Sequence, residues 1–221
     1  MFAQKSKSQI LEQIDSKSAE YGEIAHTIWA WAEMGYKEEK SSDLLEKTLK
    51  DEGFVIESGV ADMPTAFIAT YGSGSPVIAV LGEYDALPGL SQKAVAYKES
   101  MGTVAGHACG HHLFGTASTA AAIAIKNYLD SSGKSGTVKF YGCPAEEGGS
   151  GKVYLTREGM FDGVDVALNW HPGNKNAANP GAALANKSAK FRFHGVSSHA
   201  AAAPEKGRSA LDAVEAMNYM V

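Results

Sequence analysis

The chain has 221 residues, 44% hydrophobic and 20% charged, which is ordinary for a globular protein of one large domain or one domain plus part of another. A formal net charge of -5 without a concentrated basic face argues against a nucleic-acid partner. No apolar run approaches the roughly 18 residues of a membrane span. Residues 1–13 lack the apolar core of a secretory signal, so we expect a cytoplasmic protein without a membrane partner.

Helices are predicted first along the chain. Apolar residues recur at helical spacing over 8–34, which predicts one long amphipathic helix, and a highly charged helix follows over 38–50. The pattern then changes to short runs rich in β-forming residues, separated by Gly, Pro and Ser. These runs predict strands over 54–58, 65–71 and 77–81.

Strand and helix alternate in the next part of the chain. An alanine-rich helix is expected over 115–129, preceded by a glycine- and histidine-rich loop, with the helix beginning near Phe114. A strand over 138–141, a short helix over 152–157 and a strand over 164–169 follow. This alternation predicts an α/β fold in which helices flank a sheet.

A domain boundary is predicted within 173–187, where Asn, Ala, Gly and Pro dominate. The alternating run 188–194 after it predicts a half-exposed strand. A last helix over 205–221 places Leu211, Val214 and Met217 on one stripe. Because the chain stops inside that helix, we expect that it is truncated.

Three polar clusters follow predicted strands, where open α/β sheets bind their ligands. In the first, Asp85 follows the strand over 77–81, although a helix or turn cap would also explain it. In the second, Cys109 and His111 are two residues apart in a glycine-flanked segment. An extended backbone would project both side chains to one side, where a thiolate and an imidazole suit zinc, although a loop satisfied by its own hydrogen bonds is the alternative.

The third cluster pairs Glu146 with Glu147 directly after the strand over 138–141. Adjacent carboxylates repel unless a cation lies beside them, so one can bind a metal while the other faces a reacting water. A solvated pair at a helix start remains the alternative. Cys143, at the end of that strand, is interpreted as a buried structural residue.

A fourth element places His171 after the strand over 164–169. Alone it would be interpreted as structural, but with the other clusters it completes a plausible ligand set of Cys109, His111, Glu147 and His171. No complete Walker A loop or G-x-S-x-G elbow occurs. Cys109 as a nucleophile stays conceivable, but it leaves the two glutamates without a role.

Five segments carry a resemblance to a known family: 82–91 (GEYDALPGLS), 106–116 (GHACGHHLFGT), 142–152 (GCPAEEGGSGK), 169–172 (NWHP) and 207–214 (GRSALDAV). In their order and spacing they resemble the aminoacylase/carboxypeptidase family of two-metal amidohydrolases. That group contains indole-acetyl-amino-acid hydrolases, hippurate hydrolases and β-alanyl dipeptidases. The resemblance extends from about residue 12 to the end of the chain.

The resemblance implies a zinc-peptidase-like, three-layer α/β/α catalytic domain over 1–185 and the start of an inserted α+β lid domain, which dimerises, over 186–221. It implies two divalent metal ions, zinc or manganese, a small N-acyl amino acid or dipeptide substrate, and a homodimer or a related second subunit. It also implies that the rest of the lid and a last ligand histidine lie beyond residue 221. The 221 residues alone are therefore expected to be inactive and either to aggregate or to self-associate through the C-terminal segment.

Residue roles follow from the same resemblance. Cys109 would bridge the two metals, with His111, Glu147 and His171 as further ligands. Glu146 would be the general base that takes a proton from the attacking water, and Asp85 would orient a ligand. His199 would reach a partner subunit's site and steady the oxyanion.

Two features of the motifs stand apart from this assignment. In the family's peptidase branch a ligand histidine stands two residues before Asp85, whereas here Glu83 occupies that place with its role open. His107 and His112 match no ligand position and are interpreted as loop residues.

A catalytically inactive homologue is the competing hypothesis, and the presence of Glu146 beside an intact ligand set favours an enzyme. A purely structural zinc site is disfavoured, because such sites are closed Cys/His tetrahedra.

Overall fold

The computed structural model describes residues 2–178, 181 and 184–221, with the backbone alone described for residues 2–6. They form two compact units, the first ending at Lys175 and the second beginning at Asn176. Within the described ranges, no helix has both the length and the hydropathy that a membrane span requires.

The first unit begins with the helices α1 (Phe2–Ser16), α2 (Ser18–Trp31) and α3 (Glu39–Asp51). The charged helix predicted over 38–50 is confirmed as α3, but the single helix predicted over 8–34 is wrong. Lys17 interrupts it with φ -104° and ψ 11°, and Ala32 ends α2 in the left-handed region at φ 45°. Because the break occupies one residue, the apolar positions on its two sides stay nearly in phase and the periodicity does not reveal it.

A five-stranded sheet forms the centre of the first unit. Its strands are β1 (Val55–Ser58), β2 (Phe67–Ser73), β3 (Val77–Gly82), β6 (Gly136–Gly142) and β7 (Val166–Leu168). They lie in the order β1-β2-β6-β3-β7. The five strands predicted in this region are confirmed. A separate two-stranded sheet pairs β4 (Leu87–Pro88) with β5 (Ala105–Gly106). Strands β1, β2 and β6 pair antiparallel, whereas β6, β3 and β7 run parallel and therefore end at one edge.

Helices lie on both faces of this sheet. The remaining ones are α4 (His111–Ser132), α5 (Glu146–Gly149, a single distorted turn) and α6 (Gly151–Arg157). The helix predicted over 115–129 is confirmed as α4, but it begins at His111 and not near Phe114. His111 therefore projects from the first turn of a helix and not from an extended segment.

Alternation along the strands builds a separate core on each face. Phe67 and Phe140 stack with ring centroids 5.5 Å apart and face α2, α3 and α4, in a cluster that includes Leu45 of α3. Tyr141 points to the other face and packs in a second cluster with Leu155 of α6. Each large apolar side chain buried in this way contributes about 1.5–3 kcal/mol. The predicted α/β class, with helices on both sides of the sheet, is confirmed.

The second unit contains a 3-10 turn (Pro204–Lys206) and the helix α7 (Ala210–Met220). The helix predicted over 205–221 is thus shorter at its start. Residues 188–194, predicted as a strand, form none and are exposed, because no described residue pairs with them. A single antiparallel bridge joins Val196 to Arg208. Residues 179, 180, 182 and 183 of the predicted linker lie outside the described residues.

Candidate active site

The parallel strands deliver most of the polar residues to one edge of the sheet. Register pairs Gly82 at the end of β3 with Gly142 at the end of β6, and β7 runs parallel to β3 on its other side. Glu83 and Asp85 follow β3, the two glutamates follow β6, and His171 follows β7. The segments that follow these strands leave the sheet at this common edge.

His111 stands at the centre of this edge and is fully buried. Its Nδ1 lies 2.8 Å from Asp85 Oδ1, and its Nε2 lies 2.9 Å from Glu83 Oε2. Gly115, one turn further along α4, makes this approach possible. A Cβ on Gly115 would lie 2.7 Å from the Glu83 carbonyl oxygen, so only glycine lets the helix start lie against the end of β3.

Asp85 connects two of the predicted ligands. Its side chain is buried, Oδ1 faces the His111 ring, and Oδ2 accepts a hydrogen bond from the Glu147 backbone N–H at 2.9 Å. A carboxylate on Nδ1 fixes the imidazole tautomer that leaves Nε2 free for a cation. Asp85 therefore has the geometry of an orienting residue.

Two groups of donor atoms meet at His111. The ligand atoms of Cys109, His111 and His171 all lie within 4.8 Å of one another, and so do those of Glu83, His111 and Glu146. Cys109 Sγ is 3.3 Å from His171 Nε2. The fourth predicted ligand is adjacent, with Glu147 Oε1 4.0 Å from His111 Nε2.

Unpaired atoms in the site show that these residues fit a cation. Among the described side chains, His111 Nε2, Glu83 Oε2 and Glu147 Oε1 are buried without a hydrogen-bond partner. The first two are close enough for an ion pair but do not have hydrogen-bond geometry. Buried polar atoms left unpaired are costly, and mixed nitrogen, oxygen and sulfur donors suit zinc or manganese.

The pKa values of Cys109 and His111 also favour a cation at this site. Burial, together with the neighbouring Glu147 carboxylate, raises the pKa of the Cys109 thiol to about 12. Burial lowers the pKa of His111, but the contacts with Asp85 and Glu83 outweigh it and raise that pKa to about 10. Both groups thus hold a proton where a cation would displace it. A thiol with so high a pKa is a poor nucleophile, which argues against cysteine catalysis.

Residues between α2 and α3 form hydrogen bonds with the turn that carries Glu146 and Glu147. Ala145 has φ 53°, in the left-handed region, and its N–H donates to Glu38 Oε1 at 2.8 Å. Tyr36 Oη donates to the Gly149 carbonyl at 2.7 Å. Neither contact was predicted from the sequence, because the charge pattern around Glu38 indicates an exposed helix.

The other predicted residues lie in varied surroundings. Cys143 is buried in the core cluster beside α6. His107 is buried and contacts the Ile28 carbonyl through Nε2, while His112 lies in α4 and not in a loop. His199 lies in the second unit, where its Nδ1 accepts hydrogen bonds from two backbone N–H groups, and its part in the site stays a prediction.

Comparison with known proteins agrees with this geometry. The model of Peptidase family M20/M25/M40 matches residues 79–218, which include every predicted site residue. The chain belongs to this family. The resemblance of the five motifs to two-metal amidohydrolases is thereby confirmed.

Two relatives with known names are similar in sequence over almost the whole of this chain. The chain is 49% identical over 93% of its length to one of the subunits of p-aminobenzoyl-glutamate hydrolase from Escherichia coli, and it covers 43% of that protein. It is 34% identical over 94% of its length to Xaa-Arg dipeptidase of Mus musculus, covering 47% of it. The chain thus spans less than half the length of these relatives.

Solved structures share the fold. A dinuclear metal binding peptidase of the M20 family from Bacillus subtilis is 25% identical, with a TM-score of 0.57 over 69% of this chain and 42% of that one. An aminobenzoyl-glutamate utilization protein from Klebsiella pneumoniae has a TM-score of 0.53 at 17% identity, over 73% of this chain and 46% of that one.

Proposed function

We propose that this chain is the catalytic part of a metal-dependent amidohydrolase that cleaves the amide bond of N-acyl or N-aroyl amino acids such as p-aminobenzoyl-glutamate. The observation that carries the proposal is the meeting of Cys109, His171 and two glutamates around the buried Nε2 of His111, which forms no hydrogen bond with any described residue. The name of the relative that is 49% identical supports the substrate class.

Cys109, His111, Glu147 and His171 would hold the two divalent cations, zinc or manganese. When bound, such ions activate water and polarise the amide carbonyl. Asp85 keeps the His111 ring and the Glu147 backbone in place through its two oxygens. The protein's contribution is therefore a donor set arranged around the buried ring of His111.

Glu146 is the proposed general base. Its side chain is 46% exposed, so it can reach a water at the mouth of the site. Partial burial and the negative charges of Glu83 and Glu147 raise its pKa, which brings its basicity closer to neutral pH. Glu146 would take a proton from the attacking water and pass it to the leaving amine.

The remaining assignments concern the whole protein. Residues 1–185 would form the catalytic domain, and 186–221 would begin a lid through which two copies, or a related second subunit, associate. His199 of that lid would steady the oxyanion in the partner subunit's site. The separate compact unit from Asn176 onward supports a distinct second domain.

The test uses the full-length protein. Purified protein is stripped with a chelator, reloaded with zinc or manganese, and assayed on p-aminobenzoyl-glutamate, hippurate, Xaa-Arg dipeptides and β-alanyl dipeptides. We expect hydrolysis of p-aminobenzoyl-glutamate that disappears on stripping and returns on reloading. Metal-loaded protein that cleaves none of these substrates would contradict the proposal.

A further inference from the structure

The two carboxylate oxygens of Glu83 have different surroundings. Its side chain is 5% exposed, and Oε1 forms an ion pair with the Lys152 amino group. Oε2 lies 2.9 Å from His111 Nε2, and neither of these two atoms has a hydrogen-bond partner among the described residues. One oxygen of this buried carboxylate is therefore neutralised, and the other is directed into the site without a partner.

The distance between these two unpaired atoms suits a shared cation. Two donors that bind one metal at about 2.0–2.2 Å lie roughly 2.8–3.6 Å apart, for angles at the metal between octahedral and tetrahedral. The separation of 2.9 Å between Glu83 Oε2 and His111 Nε2 falls in this range, and a Glu146 carboxylate oxygen lies within 4.8 Å of both atoms. A carboxylate that merely oriented His111 would form a directed hydrogen bond, as Asp85 does at Nδ1.

We propose that Glu83 is a further metal ligand, binding one of the cations through Oε2 while Lys152 holds Oε1. This inference rests on the proposed function, since it requires a cation at His111. The Lys152 ion pair restricts Glu83 to one metal-binding oxygen, and its positive charge offsets part of the negative charge that four carboxylates and a thiolate bring to the site. Lys152 thus makes an additional anionic donor tolerable.

Zinc titration of the chelator-stripped full-length protein tests the assignment. Isothermal calorimetry should resolve two sites in the wild type. Glu83→Gln, which keeps the shape and removes the charge, should weaken one site by more than 100-fold and leave the other unchanged. Glu158→Gln, an exposed glutamate at the end of α6, is the control and should match the wild type.

The same titration distinguishes failure of the Glu83 assignment from failure of the proposed function. A loss below about 100-fold in Glu83→Gln, the range of an orienting partner, would overturn the ligand assignment while leaving the proposed function intact. Wild-type protein that binds no zinc would overturn both. If Glu83→Gln does not fold, zinc anomalous diffraction from wild-type crystals decides: a cation within about 2.3 Å of Oε2 supports the assignment, and one farther away refutes it.

Discussion

The carboxylate of Glu38 and the backbone of Ala145 are joined by a 2.8 Å hydrogen bond that spans 107 residues of sequence. Glu38 is fully buried, and its other oxygen accepts from Thr65 Oγ1 at 3.0 Å. Ala145 has a left-handed backbone, which costs about 1–2 kcal/mol for a residue with a Cβ. Glu38 therefore stabilises the turn that presents Glu146 and Glu147.

Removing this acceptor should destabilise the protein. Glu38→Ala leaves the buried Ala145 N–H unpaired, so we expect the free energy of unfolding to fall by about 1–3 kcal/mol in urea denaturation. Glu38→Gln keeps an acceptor oxygen and should lose less. Glu39→Ala removes the neighbouring exposed carboxylate and should cost less than about 1 kcal/mol. Equal losses in Glu38→Ala and Glu39→Ala would show that the hydrogen bond contributes nothing.

The same carboxylate should give a pH dependence of stability. Burial raises the pKa of Glu38 above 4.5 in spite of the hydrogen bonds that it accepts. The folded state then binds this proton more tightly than the unfolded state, so stability falls as pH rises from about 4.5 through the folded pKa. We expect the unfolding free energy of wild type minus that of Glu38→Gln to decrease across this window. A difference that grows with pH would contradict the direction of the shift.

Gly115 should not tolerate a methyl group. In Gly115→Ala the new Cβ would lie 2.7 Å from the Glu83 carbonyl oxygen and 3.1 Å from Leu45 Cδ1. We expect overpacking to cost about 1–3 kcal/mol in thermal or urea unfolding, more than the gain of about 1 kcal/mol in helix propensity. Gly22→Ala in α2 is the matched control, since a Cβ at that position would meet no neighbouring atom within 4 Å. That substitution should stabilise, and a stabilising Gly115→Ala would refute the steric argument.

Local patterns predicted much of this architecture because they act within one element. Alternation and turn residues located β2, β3 and β6, and the polar sequence motifs identified Cys109, His111 and Glu147 as a candidate set. The break at Lys17 was missed because one interrupted residue leaves the helical phase almost unchanged. Residues 188–194 have the pattern of a strand but lack a described partner, and strand formation depends on that partner.

Contacts between distant segments were not predictable in this way. The pairing of Glu83 with Lys152 joins residues 69 apart, and Glu38 reaches Ala145 only after the sheet has formed. In the sequence, Lys152 is the last residue of the segment 142–152, and no pattern there indicates a partner for it. Charge patterns along one helix face indicate solvent exposure, whereas a buried carboxylate such as Glu38 is defined by partners from other elements.

Asp85 offers a test of orientation separate from ligation. Asp85→Asn preserves the side-chain volume but places an amide nitrogen at one of two positions that require an acceptor, toward His111 Nδ1 or toward the Glu147 N–H. We expect zinc affinity of the full-length protein to fall by about 10–100-fold, as for other orienting partners. Calorimetric titration measures this, and unchanged affinity would remove Asp85 from the support of the site.

Substitutions of the two adjacent glutamates after β6 should affect different properties, turnover in one case and metal retention in the other. The Glu146 side chain is 46% exposed, whereas Glu147 Oε1 is buried beside His111 and has no hydrogen-bond partner within the described part of the chain. In the full-length protein, Glu146→Gln should keep its metal content and lower kcat by roughly 100- to 10,000-fold, the usual size of a general-base contribution. Glu147→Gln should instead lose metal during dialysis. Metal analysis beside steady-state kinetics distinguishes the two, and wild-type kcat in Glu146→Gln would exclude Glu146 as the base.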